Sequence, residues 1–299
     1  MKSKNRMPVL FAAHGSPMNA LEDGPFPRAL NAWRNRLPRP QAILCVSAHW
    51  YTHPNSYESQ AEPAPGYERD PFNFVPGLGA PGFEIGKGYG KGTFVQASKK
   101  PKTIHDFGGF PQALFDVQYP APGHPELAKR TAQLLGVPTT EDWGLDHGTW
   151  SVLVHLFPEA DVPVFQVSLD ASLQPREHLE LGKKLAALRD EGVLILGSGN
   201  LVHNLGRIDW NKKAPAEPWA LTFDEAVAKS ISDRSDDALV DYRTLPGARE
   251  SVPTPDHYLP LLYCLGASDA KDARSFPIEG FEHASISQRC VEFTPPGRG

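Results

Sequence analysis

PQAILCVSAHW, residues 40–50, carries an apolar, partly β-branched run at 42–48 and then an imidazole, His49. VLFAAHGSP, residues 9–17, repeats the pattern, with His14 directly after the apolar run at 9–13. Both runs have the length and side chains of buried strands, and a helical periodicity at 26–37 lies between them, so the first fifty residues read as one βαβ unit. Working outward, apolar runs at 163–169 and 193–198 flank a helical segment at 175–190, in which Pro175 suits a first helical turn. Alternating strands and helices predict an α/β fold: a central, mostly parallel or mixed sheet flanked by helices on both faces.

Beyond residue 201 a helix is expected at 219–231. An apolar one follows at 257–265, opened by His257 and capped by Thr254 or Asp256. The stretch 275–293 holds two short strand-like runs. Residues 52–102 break the rhythm, being rich in Pro, Gly and Tyr, and read as a long insertion: a lid, an arm for homo-oligomer contacts, or a disordered piece. The expected organisation is one catalytic domain over 1–299 that carries this insertion.

Hydrophobic residues make up 40% of the 299 and charged residues 22%, enough for a substantial core and unlike a disordered chain. The 30 basic and 35 acidic residues give a net charge of -5 without long blocks of either sign, so no nucleic-acid footprint is expected. No apolar run reaches 18 residues and the N-terminal apolar stretch is too short for a signal peptide, so no membrane association and a cytoplasmic location are expected. Cys45, Cys264 and Cys290, odd in number and far apart, read as reduced packing residues.

In open α/β sheets ligands bind beyond the carboxyl ends of the strands, so His14 and His49 should meet at one edge. LILGSGNLVHNL brings a third imidazole, His203, to the same edge. One such histidine is more often structural than a ligand; three together point to a metal site. His105 and Asp106 in TIHDFGGFP, and His147 in WGLDHGTW at the mouth of a helix, belong to no amphipathic pattern and suit substrate contact. His53, His124, His155, His178 and His283 read as surface or packing residues. GYGKGT at 88–93 lacks the full spacing of a phosphate loop, and no HExxH, GxSxG or zinc-finger spacing occurs.

Taken together, HGSPMN, PQAILCVSAHW, TIHDFGGFPQALFDVQYPAPG, LDHGTWSVLVHLFP, GSGNLVHNL and PTPDHYLPLLYCLGA resemble the 4,5-DOPA extradiol dioxygenase group of the class III, LigB-type extradiol dioxygenases. The likeness runs in order from His14 to the final strands, and the insertion is longer than its counterpart in typical members. It implies a LigB-like fold, with ring opening of a substituted catechol by O2 at a non-haem metal. Fe(II) is the expected cofactor and Zn(II) the alternative bound metal. The resemblance implies His14, His49 and His257 as metal ligands and His203 as the acid/base beside them, drawn into the coordination shell when zinc is bound. It casts His147 as catalytic and the His105 and Asp106 pair as substrate-binding. Non-haem Fe(II) oxygenases commonly use two histidines and a carboxylate, so Asp256 is an alternative third ligand, although adjacent helical residues point about 100° apart. The competing classes are a zinc hydrolase with His203 as base, and a non-enzymatic metal-binding assembly module.

Overall fold

A computed structural model describes residues 6–52 and 92–297. Along the chain the elements are β1 (Val9–Ala13), α1 (Pro25–Arg34), β2 (Ala42–Thr52), β3 (Val95–Gln96), α2 (Gln112–Phe115), α3 (Pro125–Leu135), β4 (Thr139–Thr140) and α4 (His147–Leu156). There follow β5 (Val164–Asp170), α5 (Pro175–Leu185), β6 (Val193–Gly199), α6 (Pro218–Ser232), α7 (Asp236–Val240), α8 (Ala248–Ser251) and α9 (Leu259–Ala267). The last strands are β7 (Ala273–Ser275), β8 (Phe281–Glu282), β9 (Ile286–Ser287) and β10 (Val291–Thr294).

Eight strands form one mixed sheet in the order β4-β3-β5-β2-β6-β1-β10-β7, and β8 and β9 pair separately. β5, β2, β6 and β1 are mutually parallel, so their carboxyl ends share one edge, as read from the apolar runs. These central strands are buried along their length, Tyr51 near the end of β2 excepted, because helices cover both faces. Leu44 and Val46 pack with α3, α5, α6 and α9, while Ile43 and Cys45 face α1 and α4 on the other side, which is the period-two alternation of a strand.

Several boundaries depart from the sequence reading. His49 does not follow β2; it lies within it, because the strand runs on to Thr52. There the pairing with β5 slips: Val46 opposes Val167 and Tyr51 opposes Leu169, so residues 47–50 face Ser168 alone. A bulge of this kind re-aims side chains at a sheet edge. His257 does not open the last apolar helix, which begins at Leu259, and neither Thr254 nor Asp256 caps it. Pro260 explains the shift, since proline lacks an N–H and fits best in a helix's first turn.

The proposed insertion is also trimmed. Residues 95–96 form β3 inside the main sheet, and the Phe94 amide donates to Ser168 Oγ at 2.8 Å. Residues 53–91, with His53, most of GYGKGT and the lid, arm or disorder reading, lie outside the described residues. Within 275–293, four short strands replace the expected two, because β7 is already formed at Ala273 and the β8–β9 pair precedes β10. Among the described residues no helix is long and apolar enough to cross a membrane, and the three cysteines are free and buried.

Candidate metal centre

His14 directly follows β1, and its amide donates to the Gly199 carbonyl at 3.2 Å, so the imidazole is launched from the edge where β1 and β6 run side by side. Its Nδ1 lies 3.1 Å from Ser198 Oγ. That hydroxyl already donates to the Gly148 carbonyl at 2.5 Å, so it accepts from His14 Nδ1–H and leaves Nε2 as the lone-pair nitrogen. His49 Nδ1 stands 3.2 Å from Asp106 Oδ2, and His147 Nδ1 stands 2.9 Å from the same oxygen. The other oxygen, Oδ1, accepts the His147 backbone N–H at 2.9 Å. His257 Nδ1 pairs with Asp256 Oδ2. In all four rings Nδ1 is held from outside and Nε2 remains free to bind.

The electrostatics agree. Burial pulls His14 well below the ordinary histidine value, and the neighbouring His49 and His257 add to it. Burial also lowers His257 and His147, against the pull of Asp256 and Asp106 respectively. His49 is buried too, but the hydrogen bond and charge of Asp106 lift it above the usual value. A carboxylate that raises an imidazole's proton affinity raises its affinity for a metal in the same way. Burial alone would raise Asp106, yet His147 and then His49 hold it far down in the ionised form; His257 does the same for Asp256.

His14 Nε2 and His49 Nε2 face each other at 3.2 Å. A shared cation, either a proton donated by His49 to the His14 lone pair or a metal ion bound by both nitrogens, makes this approach favourable. Two imidazoles bound to one ion at about 2.0–2.1 Å, with bond angles of about 90–110°, would place their nitrogens roughly 2.9–3.4 Å apart and their ring centroids roughly 4.5–5.3 Å apart. The centroids of His14, His49 and His257 are 4.9, 5.1 and 5.1 Å apart, spacings within that range. Ligand atoms of His14, His49 and His147 also cluster within 4.8 Å of one another. Ring geometry separates the two sets, since His147 lies 3.7 Å from His49 but 5.7 Å from His14. His203 stacks on His257 at 3.6 Å with ring planes only 4° apart, beside that ring rather than converging with it. Burial, then His257, lowers its pKa well below the ordinary value.

A family model described as the catalytic LigB subunit of aromatic ring-opening dioxygenase matches residues 90–294. The chain belongs to the LigB family. LigB-type extradiol dioxygenases are non-haem metal enzymes, a chemistry that the cluster of buried imidazoles suits. The likeness extends over nearly the whole chain in a protein of Escherichia coli K12 named 4,5-DOPA dioxygenase extradiol, 43% identical over 97% of this chain and 96% of its own. A Beta vulgaris protein of the same name is 32% identical over 96% of both chains. The crystal structure of an uncharacterized Escherichia coli K12 protein superposes with a TM-score of 0.73 at 39% identity, covering 96% of this chain and all of that one.

The remaining LigB-type site residues fall on both sides of the sequence reading. Asp106, expected to meet substrate, has both carboxylate oxygens engaged by His49 and His147. His105 joins a group of aromatic rings: its Nε2 lies 3.0 Å from the Val117 carbonyl, and Phe115 and Trp150 lie 6.0 and 5.6 Å away. Phe107 links that group to the centre, edge-on to His147 at 5.3 Å. Asp256, weighed as a ligand in place of His257, instead hydrogen-bonds that ring from behind. His155 and His178 are buried packing residues, as expected, whereas His124 caps α3 by accepting from the Leu127 amide. Sequence reading missed Ser47, Asp146, Ser198 and Glu282. Glu282 Oε1 accepts from the Ser16 amide at 2.7 Å and so pins the turn after His14. Of these, Asp146 carried a legible signal: an aspartate directly before a helix is a favoured cap.

Proposed function

We propose that this enzyme opens the ring of a DOPA-like catechol with O2, at Fe(II) held by His14, His49 and His257. The observation that carries the reading is the near-equal spacing of these three rings, each with Nδ1 anchored and Nε2 free. The names of the Escherichia coli and Beta vulgaris relatives support the substrate class. When bound, Fe(II) would supply the point at which catechol and O2 meet and exchange electrons. Three neutral imidazoles bring no ligand charge, so Zn(II) is the competing occupant.

The protein's own part is to move protons and to shape the pocket. A catechol must lose its hydroxyl protons to chelate a metal. His203, held neutral by burial and stacked beside His257, is placed to accept one. His147, with Nδ1 tied to Asp106, offers Nε2 as a second proton site. Phe107, with the rings of Phe110 and Phe115 at 5.3 and 5.2 Å from its own, gives an apolar wall next to His147 for the aromatic ring, with His105 beside it. Anaerobic loading with Fe(II), then oxygen-electrode traces with DOPA and a panel of catechols, tests this reading. One O2 consumed per yellow semialdehyde formed is expected. Silence across the panel, or ester hydrolysis that persists without oxygen, contradicts it.

A further inference from the structure

Asp146 caps α4, whose first residues, His147 and Gly148, meet His49 directly and His14 through Ser198. Asp146 is fully buried and receives four hydrogen bonds. Oδ1 accepts from Ser47 Oγ at 2.6 Å and from the Thr149 amide at 3.1 Å. Oδ2 accepts from Gln166 Nε2 at 2.7 Å and Trp143 Nε1 at 3.3 Å. All four donors are neutral, and among the described residues no lysine or arginine pairs with it. A carboxyl group buried among neutral donors, with the imidazoles of His49 and His147 as its electrostatic neighbours, is costly unless its position serves something else.

Its bonds lead directly to the metal centre. Ser47, which donates to Asp146, accepts the His49 amide at 3.2 Å inside the β2 bulge. On its other side Asp146 caps α4, whose first residue is His147. The two segments are pressed together, since a Cβ at Gly148 would lie 2.5 Å from Ser47 Oγ and 2.9 Å from His49 Cδ2. The Gly148 carbonyl takes the Ser198 hydroxyl that holds His14. A bulge leaves the backbone free to aim a side chain several ways, so something outside the strand has to fix it.

We propose that Asp146 is a positioning residue for the metal centre: one buried carboxylate fixes His49, through Ser47, against His147, through the first turn of α4. The inference rests on the metal-site reading above and adds to it the anion that sets the spacing of imidazoles from two distant elements. Supporting groups behind metal ligands typically change metal affinity by about 10–100-fold when altered.

The test is equilibrium Zn(II) binding to chelator-stripped protein, read by competition with a chromophoric chelator, alongside thermal midpoints. It compares the parent with Asp146→Asn, Ser47→Ala and Trp143→Phe. Trp143→Phe removes a donor from the same carboxylate but leaves the Ser47 branch intact. Ser47→Ala keeps the proposal testable if Asp146→Asn does not fold. Asp146→Asn and Ser47→Ala should weaken Zn(II) by about tenfold or more, whereas Trp143→Phe should lower the midpoint with affinity within about twofold of the parent. Unchanged affinity in Ser47→Ala, or equal losses in Ser47→Ala and Trp143→Phe, would overturn the proposal and leave the metal site standing. A parent that takes up no Zn(II) or Fe(II) would overturn both.

Discussion

Three imidazoles can share one ion only if each presents the right nitrogen, and here that choice is made by groups behind them. Asp106 serves two rings through Oδ2 and the His147 backbone N–H through Oδ1, so Asp106→Asn should be costly: an amide accepts on one side only and turns a donor either toward both rings or toward that N–H. The expected result is a fall in metal affinity of about 10–100-fold, measured by chelator competition. His203 should behave differently. His203→Gln should keep its metal, by elemental analysis, yet lose about 10²–10⁴-fold in kcat for oxygen uptake, the usual contribution of a proton-transferring group. Loss of metal in that variant would make His203 a ligand. At this scale the histidines were the legible part, because imidazoles at strand ends stand out against apolar runs. Their anchors were not. Ser47, Ser198 and Asp146 look like ordinary strand and cap residues until the fold brings them behind a ring from another element.

Among the elements, β6 and the turn before α9 decide where His257 sits. β6 carries GSG at 197–199, and a Cβ at Gly199 would overlap the His257 carbonyl oxygen, so only glycine lets that turn lie against the strand. Gly199→Ala should therefore lower stability by roughly 1–3 kcal/mol, as overpacking does, measured by denaturant midpoints. It should also weaken metal binding. An unchanged midpoint would mean that the turn relaxes freely. β1, β5 and β6 were readable because buried parallel strands are continuous apolar runs. β3 and β4 were not, being two residues long each and defined by their partners. The start of α9 was misplaced because the apolar pattern extends upstream of Pro260, while helical hydrogen bonding does not.

At the scale of the whole molecule, the two βαβ units were legible but their interleaving was not: β2 inserts between β5 and β6, and β6 between β2 and β1. Strand order depends on long-range pairing that local periodicity does not encode. The resulting core holds neutral histidines away from the site as well. His178, on α5, is pushed by burial down to about 4, below the ordinary value of 6.5. Its neutral form stabilises the fold fully above pH 6.5. That contribution falls as pH drops toward about 4, where the native ring also takes a proton and the loss levels off. A gap of that size corresponds to about 3 kcal/mol. Denaturant midpoints of metal-stripped protein should thus fall more steeply from pH 6.5 to 4 in the parent than in His178→Gln; parallel slopes would refute this. The convergence of His14, His49 and His257 on one ion is tested most directly by anomalous diffraction at the metal edge, on crystals grown with Fe(II) under anaerobic conditions. The account predicts a single strong peak about 2.1 Å from the Nε2 atoms of those three residues. A peak bound through His147 in place of His257, or no peak at all, would contradict it.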